Sequence, residues 1–123
     1  MRILSERRYR FLAPPPDVWA ALSDVEHYAS WWPWLARFDA EALAPGASWH
    51  CKIRPPLPYV LRCRIDLVTV EAPRLVSARV WGDLLGRAAV SLAPSPHDDG
   101  TDVRIAAALA AHSVPARMGA RAF

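Results

Sequence analysis

Between residues 48 and 67 apolar and polar side chains alternate with a period of two, and only a proline-rich interruption breaks the alternation. Trp49, Cys51 and Ile53 alternate with Ser48, His50 and Lys52. After Pro55-Pro56-Leu57-Pro58, the residues Tyr59, Leu61, Cys63, Ile65 and Leu67 alternate with Arg62, Arg64 and Asp66. Successive side chains of a strand point to opposite faces, so this pattern specifies two strands, each apolar on one face and polar on the other. A turn centred on Leu57 sets Ile53 against Leu61 and Cys51 against Cys63. Both thiols then lie on the apolar face. A cross-strand disulfide between them would be strained and disfavoured in a reducing compartment, so two buried free thiols are expected.

The same period continues to residue 111. Leu75 to Trp81, Arg87 to Leu92 and Thr101 to Ala111 read as strands, with turn chemistry at Gly82-Asp83 and at Asp98-Asp99-Gly100. Phe38 to Leu43 reads as a further strand ended by Pro45-Gly46. Residues 2 to 12 also read as a strand, with an arginine-rich face against Ile3, Tyr9 and Phe11. Helix signals separate that strand from the rest. Pro14-Pro15-Pro16 presets a first turn, Asp17 places negative charge at its start, and Val18, Leu22 and Val25 share helical spacing. Ser23-Asp24 reads as a second N-cap, opening a short helix that Pro33 interrupts. The order is one strand, two short helices and about six further strands. That is an α+β domain built on an antiparallel sheet of six to seven strands, with one face apolar and the other polar.

Length and charge narrow the function classes. A chain of 123 residues makes one domain able to bury roughly two thirds of its unfolded surface. No apolar run approaches the about 18 residues of a membrane-spanning helix, and Met1 to Arg8 lacks the apolar stretch of a secretory signal. A cytoplasmic protein without membrane insertion is expected. Of the 15 basic residues Lys52 is the single lysine, and the arginines are scattered, the densest group being Arg7-Arg8-x-Arg10. A nucleic-acid footprint would gather charge on one face, so no nucleic-acid partner is expected.

Aromatic residues supply the remaining signal. Trp31, Trp32 and Trp34 are three of the six tryptophans, grouped within four positions. Indole is large, stiff and only partly apolar, so such a group lines a core or a pocket. Across Pro33 the three cannot all point inward; at least one belongs at a pocket entrance.

The run Phe11-Leu12-Ala13-Pro14-Pro15-Pro16-Asp17-Val18-Trp19-Ala20-Ala21-Leu22-Ser23-Asp24, followed by Tyr28-x-x-Trp31-Trp32-Pro33, resembles the START-like (SRPBCC) superfamily, closest to bacterial polyketide cyclase/dehydrase proteins. Leu43-x-Pro45-Gly46-x-x-Trp49, Pro56-Leu57-Pro58-Tyr59, and Gly82-Asp83-Leu84-x-Gly86 followed by Gly100-Thr101 extend the resemblance over residues 5 to 111. It implies a helix-grip fold: a curved antiparallel sheet around a long C-terminal helix, two short helices closing one end, and a hydrophobic cavity between. Superfamily members bind lipids, sterols or polyketides, and some catalyse cyclisation or aromatisation. One departure stands out. Only 12 residues follow Ala111, where such a helix needs around twenty at about 1.5 Å of rise per residue. The C-terminal helix is therefore expected to be short or missing, and the uncovered apolar face to favour a homo-oligomer.

No catalytic constellation accompanies these features. His50 and Cys51 are adjacent on a strand and point to opposite faces. His27, His97 and His112 show no metal-ligand spacing, and neither HExxH nor CxxC occurs. Asp24 and Glu26 face different ways on a helix, and Asp83 sits in turn chemistry. No catalytic residue, metal or cofactor is assigned. The ligand-binding candidates are Trp31, Trp32, Trp34, Trp49, Cys51, Tyr59, Leu61, Cys63, Ile65 and Trp81. Arg79 and Trp81 share one parity, and Val76, Ala78 and Val80 the other; the pattern leaves open which set faces in. Were Arg79 inside, it would anchor an acidic or carbonyl group. The leading expectation is a module binding a small apolar or aromatic molecule, with a polyketide aromatase/cyclase and a protein associating through its sheet as alternatives.

Overall fold

The prolines after Phe11 switch the chain from strand to helix. The structure is a computed structural model describing residues 2–40, 42–54, 56, 58 and 60–111. Strand β1 (Arg2–Phe11) gives way to helix α1 (Pro15–Ser23), whose first positions are prolines and whose first turn carries Asp17. Proline lacks the N–H that a first turn leaves unpaired, and its fixed φ is already helical. A 3-10 turn at Val25–His27 leads into the one-turn helix α2 (Tyr28–Trp31). Asp24 precedes that turn as expected, but its carboxylate meets His27 Nδ1 at 2.7 Å and caps no backbone N–H.

Six strands follow: β2 (Leu35–Asp39), β3 (Ser48–Ile53), β4 (Leu61–Glu71), β5 (Leu75–Gly82), β6 (Leu84–Pro94) and β7 (Thr101–Ala111). The seven form one antiparallel sheet in the order β1-β7-β6-β5-β4-β3-β2, curled into a half-barrel. The register derived from the Leu57 turn is the one observed, with Ile53 opposite Leu61 and Cys51 opposite Cys63. Strand β2 corrects the expected Phe38–Leu43. It begins at Leu35, where Trp34 accepts a hydrogen bond from the Arg54 N–H at 2.7 Å, and a bulge between Leu35 and Arg37 hides its period. Leu43 instead lies in the connection and packs on the core. Strand β6 outruns the expected Arg87–Leu92 at both ends. The expectation of a short or missing C-terminal helix falls on residues 112–123, outside the described residues.

The helices cover only part of the sheet. Val25, Tyr28 and Leu35 pack on Trp49 and Cys51 of β3, Leu67 of β4, and Val76 and Ala78 of β5, with Trp19, Leu22 and Trp32 half-buried around them. A smaller cluster of Cys63, Val80 and Leu84 continues the core toward β6. These contacts fix the open parity: Val76, Ala78 and Val80 are buried, whereas Arg79 and Trp81 are exposed on the opposite face.

Candidate functional site

Cross-strand register traces one continuous inner face. From Trp49 and Cys51 it runs through Cys63, Ile65 and Leu67, then Val76, Ala78 and Val80. The bulge between Leu67 and Thr69 restores Val70 to this face opposite Val76. Val90, Ala88 and Gly86 of β6 continue it, paired with Ile105, Ala107 and Leu109 of β7. The final row, on β1, is Ile3, Ser5, Arg7, Tyr9 and Phe11. The inner face is thus apolar apart from Thr101 of β7 and a polar stretch on β1.

Its two ends differ in cover. Under the helices, Tyr28, Phe38 and Trp49 form an aromatic end wall. Tyr28 and Phe38 stack with ring centroids 5.3 Å apart, and Trp49 meets both edge-on at 5.8 and 5.4 Å. These are the geometries that aromatic quadrupoles favour. The Trp49 indole N–H donates to the Ala42 carbonyl at 2.9 Å, and the Tyr28 hydroxyl donates to the Leu22 carbonyl, so burial leaves neither polar tip unpaired. At the β7–β1 end, Ile3, Tyr9, Phe11 and Ile105 are 37–47% exposed. Open apolar wall therefore continues from a closed aromatic floor.

The buried titratable groups Cys51, Cys63 and Tyr28 are held in their neutral forms. Burial pushes the Cys51 thiol up to about 12, reinforced by Cys63 and Asp39. Burial also raises Cys63, partly offset by a backbone hydrogen bond from Leu84. The Tyr28 phenol is pushed up to about 12, again mainly by burial. Both cysteines are free, as expected. A thiol so protected is a poor nucleophile, since the thiolate is the reactive species.

The sequence-derived candidates separate into groups. Trp49, Cys51, Leu61, Cys63 and Ile65 lie together on the covered part of the inner face, and Trp32 packs on that core from the helical side. Trp34 is 47% exposed beyond α2. Trp31 ends α2, its side chain lying outside the described part of the structure, and Tyr59 is also outside the described residues. Trp81 is on the outer face, away from the inner wall. There the Arg64 guanidinium sits 5.7 Å from its ring centroid, and Asp66 is held below the usual carboxylate range by Ser48 and then by Arg64. His50 also faces outward, opposite in direction to Cys51, and no group of three metal-ligating side chains occurs among the described residues. Arg79 lies opposite Asp66 and Arg87 on the outer face, away from the inner wall, and lines a hollow of about 360 Å³ together with Val68 and Ser77.

The open part of the wall was missing from those candidates. Ile3, Tyr9 and Phe11 were readable as the apolar side of β1, but only the register with β7 joins them to Leu109, Val103 and Thr101. Arg7 is the sharper correction. It belongs to the parity of Ile3, Tyr9 and Phe11, not to the arginine-rich side formed by Arg2, Arg8 and Arg10. Counting by twos from Ile3 carries the signal.

Comparison with known proteins agrees with this architecture. A family model described as polyketide cyclase / dehydrase and lipid transport matches residues 4–123. No curated protein matches the chain in sequence. Among solved structures, a Deinococcus radiodurans protein from a structural genomics consortium is similar at TM-score 0.71 and 15% identity, covering 89% of this chain and 83% of that one. The Zhui aromatase/cyclase from a Streptomyces species reaches TM-score 0.74 at 13% identity, covering 93% and 71%. A norcoclaurine synthase from Thalictrum flavum reaches 0.65 at 11%, covering 92% and 78%. At these identities the likeness is one of fold.

Proposed function

The chain belongs to the polyketide cyclase/dehydrase and lipid transport family, and on that premise we propose that it binds a small hydrophobic or aromatic molecule, of lipid or polyketide type, against the inner face of its sheet. The observation carrying this reading is the inner face itself: a wall apolar from β3 to β7, closed at one end by Tyr28, Phe38 and Trp49 and open at Ile3, Tyr9, Phe11 and Ile105. Concave apolar walls with few polar groups are what small-molecule sites are made of. The ligand would rest on the exposed β7–β1 part, with Trp32 and the covered residues Leu61 and Ile65 backing the floor.

Binding without turnover is favoured over a cyclase because proton transfer needs groups that titrate near neutrality. Cys51, Cys63 and Tyr28 are instead shifted upward by burial. Tryptophan fluorescence titrated with fatty acids, sterols and polycyclic aromatics tests the reading. Saturable quenching with the ligand recovered unchanged by mass spectrometry supports it. A chemically altered ligand would make the protein an enzyme, and no saturable signal from any class would remove the binding role. A second copy closing over the ligand on the open wall is the partner this reading takes, because exposed apolar patches favour association.

A further inference from the structure

We propose that Arg7 is the specificity-determining residue of this face, and that it selects an apolar ligand ending in a carboxylate; the inference rests on the hydrophobic-ligand reading above. Across the register, the inner positions of β3 through β7 hold aliphatic, aromatic, glycine, cysteine or threonine residues. Arg7 is the one charged side chain on the inner face among the described residues, and it lies opposite Ile105. Ser5 and Tyr9 flank it on the same strand face, each about 6.6 Å along the strand. A short polar strip, two hydroxyls around a guanidinium, thus interrupts an otherwise apolar wall.

The neighbouring arginines show what Arg7 lacks. On the outer face Arg8 pairs with Glu6 at 3.0 Å and Arg10 with Asp102 at 3.2 Å, while Arg104 also reaches Glu6 at 2.8 Å. The inner face has no acidic residue at any register position among the described residues, and Arg7 has no ion-pair partner there. A planar guanidinium offers parallel donors matching the two oxygens of a carboxylate, a stronger pairing than neutral hydrogen bonds provide. An acyl or aryl chain lying along Ile105, Leu109 and Ile3 would bring a terminal carboxylate to this fork. An inward charge on an edge strand also hinders edge-to-edge pairing, and the test separates that role.

Affinities for dodecanoate and for dodecanol are measured by tryptophan fluorescence on the wild-type chain and on Arg7→Gln and Arg7→Lys variants. Arg7 is exposed, so both variants should fold. The proposal expects dodecanoate to bind about tenfold more tightly than dodecanol, a margin within reach of one charge-assisted pair. Arg7→Gln should bring the ratio near one while sparing dodecanol affinity, and Arg7→Lys should restore part of it. Equal binding of both probes by the wild type, or an unchanged ratio in Arg7→Gln, overturns the role of Arg7 and leaves hydrophobic binding intact. An Arg7→Gln variant that forms larger assemblies than the wild type, with its ratio unchanged, overturns the ligand role and assigns Arg7 to edge protection instead. Failure of both probes to bind removes the underlying reading as well.

Discussion

Cys51 and Cys63 face each other across two strands, yet burial makes them chemically quiet. The folded protein should consume almost no Ellman reagent at pH 8, and two equivalents after unfolding without reductant; fewer than two would reveal oxidation. The raised Cys51 value also sets an alkaline limit. A thiol with a folded pKa near 12 against 9.0 for the free group favours the folded state fully below about pH 9. That contribution is lost as pH rises from about 9 toward 12, with Tyr28 weakening the fold further between about 10 and 12. Thermal melts of Cys51→Ala should therefore fall less steeply with pH over this range than those of the wild type. His27 behaves differently because it is exposed and paired with Asp24, whose hydrogen bond raises its pKa. Asp24→Asn should lower that value toward ordinary histidine, as followed by NMR titration. Any stabilisation from the pair is present below the free-histidine pKa and lost as pH rises through the raised folded value.

At the scale of elements, β6 comes close to β7 at Gly86. Its φ is +153°, and a Cβ there would lie 1.9 Å from the Ala108 carbonyl oxygen. Gly86→Ala should cost at least about 1–3 kcal/mol from backbone strain, before any displacement of β7 is counted. Chemical denaturation measures it, and a loss below about 0.5 kcal/mol would show that the strands are free to part. Trp49→Ala, which removes the centre of the end wall, should cost about 3–5 kcal/mol. Strands with clean alternation were readable from sequence: the Cys51–Cys63 register followed from one turn centre and a period of two. Elements failed to read where local geometry breaks that period. The bulge after Leu35 disguised β2. On β5 both parities carry large side chains, so burial of Val80 over Trp81 was decided only by the helices packed on Ala78 and Val76. Arg7 escaped notice because three neighbouring arginines read as one charged face, although the strand divides them between two.

For the whole molecule, α1 and α2 cover β2 to β5 and α1 reaches β6, while the β7–β1 end of the inner face is exposed, and no described helix is long and apolar enough to cross a membrane. An open wall bearing Ile3, Tyr9, Phe11 and Ile105 should draw two copies together, so light scattering at micromolar concentration should give the mass of a dimer or larger; a monomer would count against that arrangement. The proposed ligand occupies the inner face of the sheet and not the outer one. Placing a charge at Ile105, on the inner wall, or at Leu4, 80% exposed on the outer face of the neighbouring strand, distinguishes the two faces with the same substitution. The decisive measurement is the dissociation constant of a neutral fluorescent apolar probe, N-phenyl-1-naphthylamine, for the wild type, Ile105→Glu and Leu4→Glu. A ligand on the inner face requires binding weakened about tenfold or more by Ile105→Glu and unchanged within about twofold by Leu4→Glu. Equal effects of the two substitutions, or a loss confined to Leu4→Glu, would contradict it.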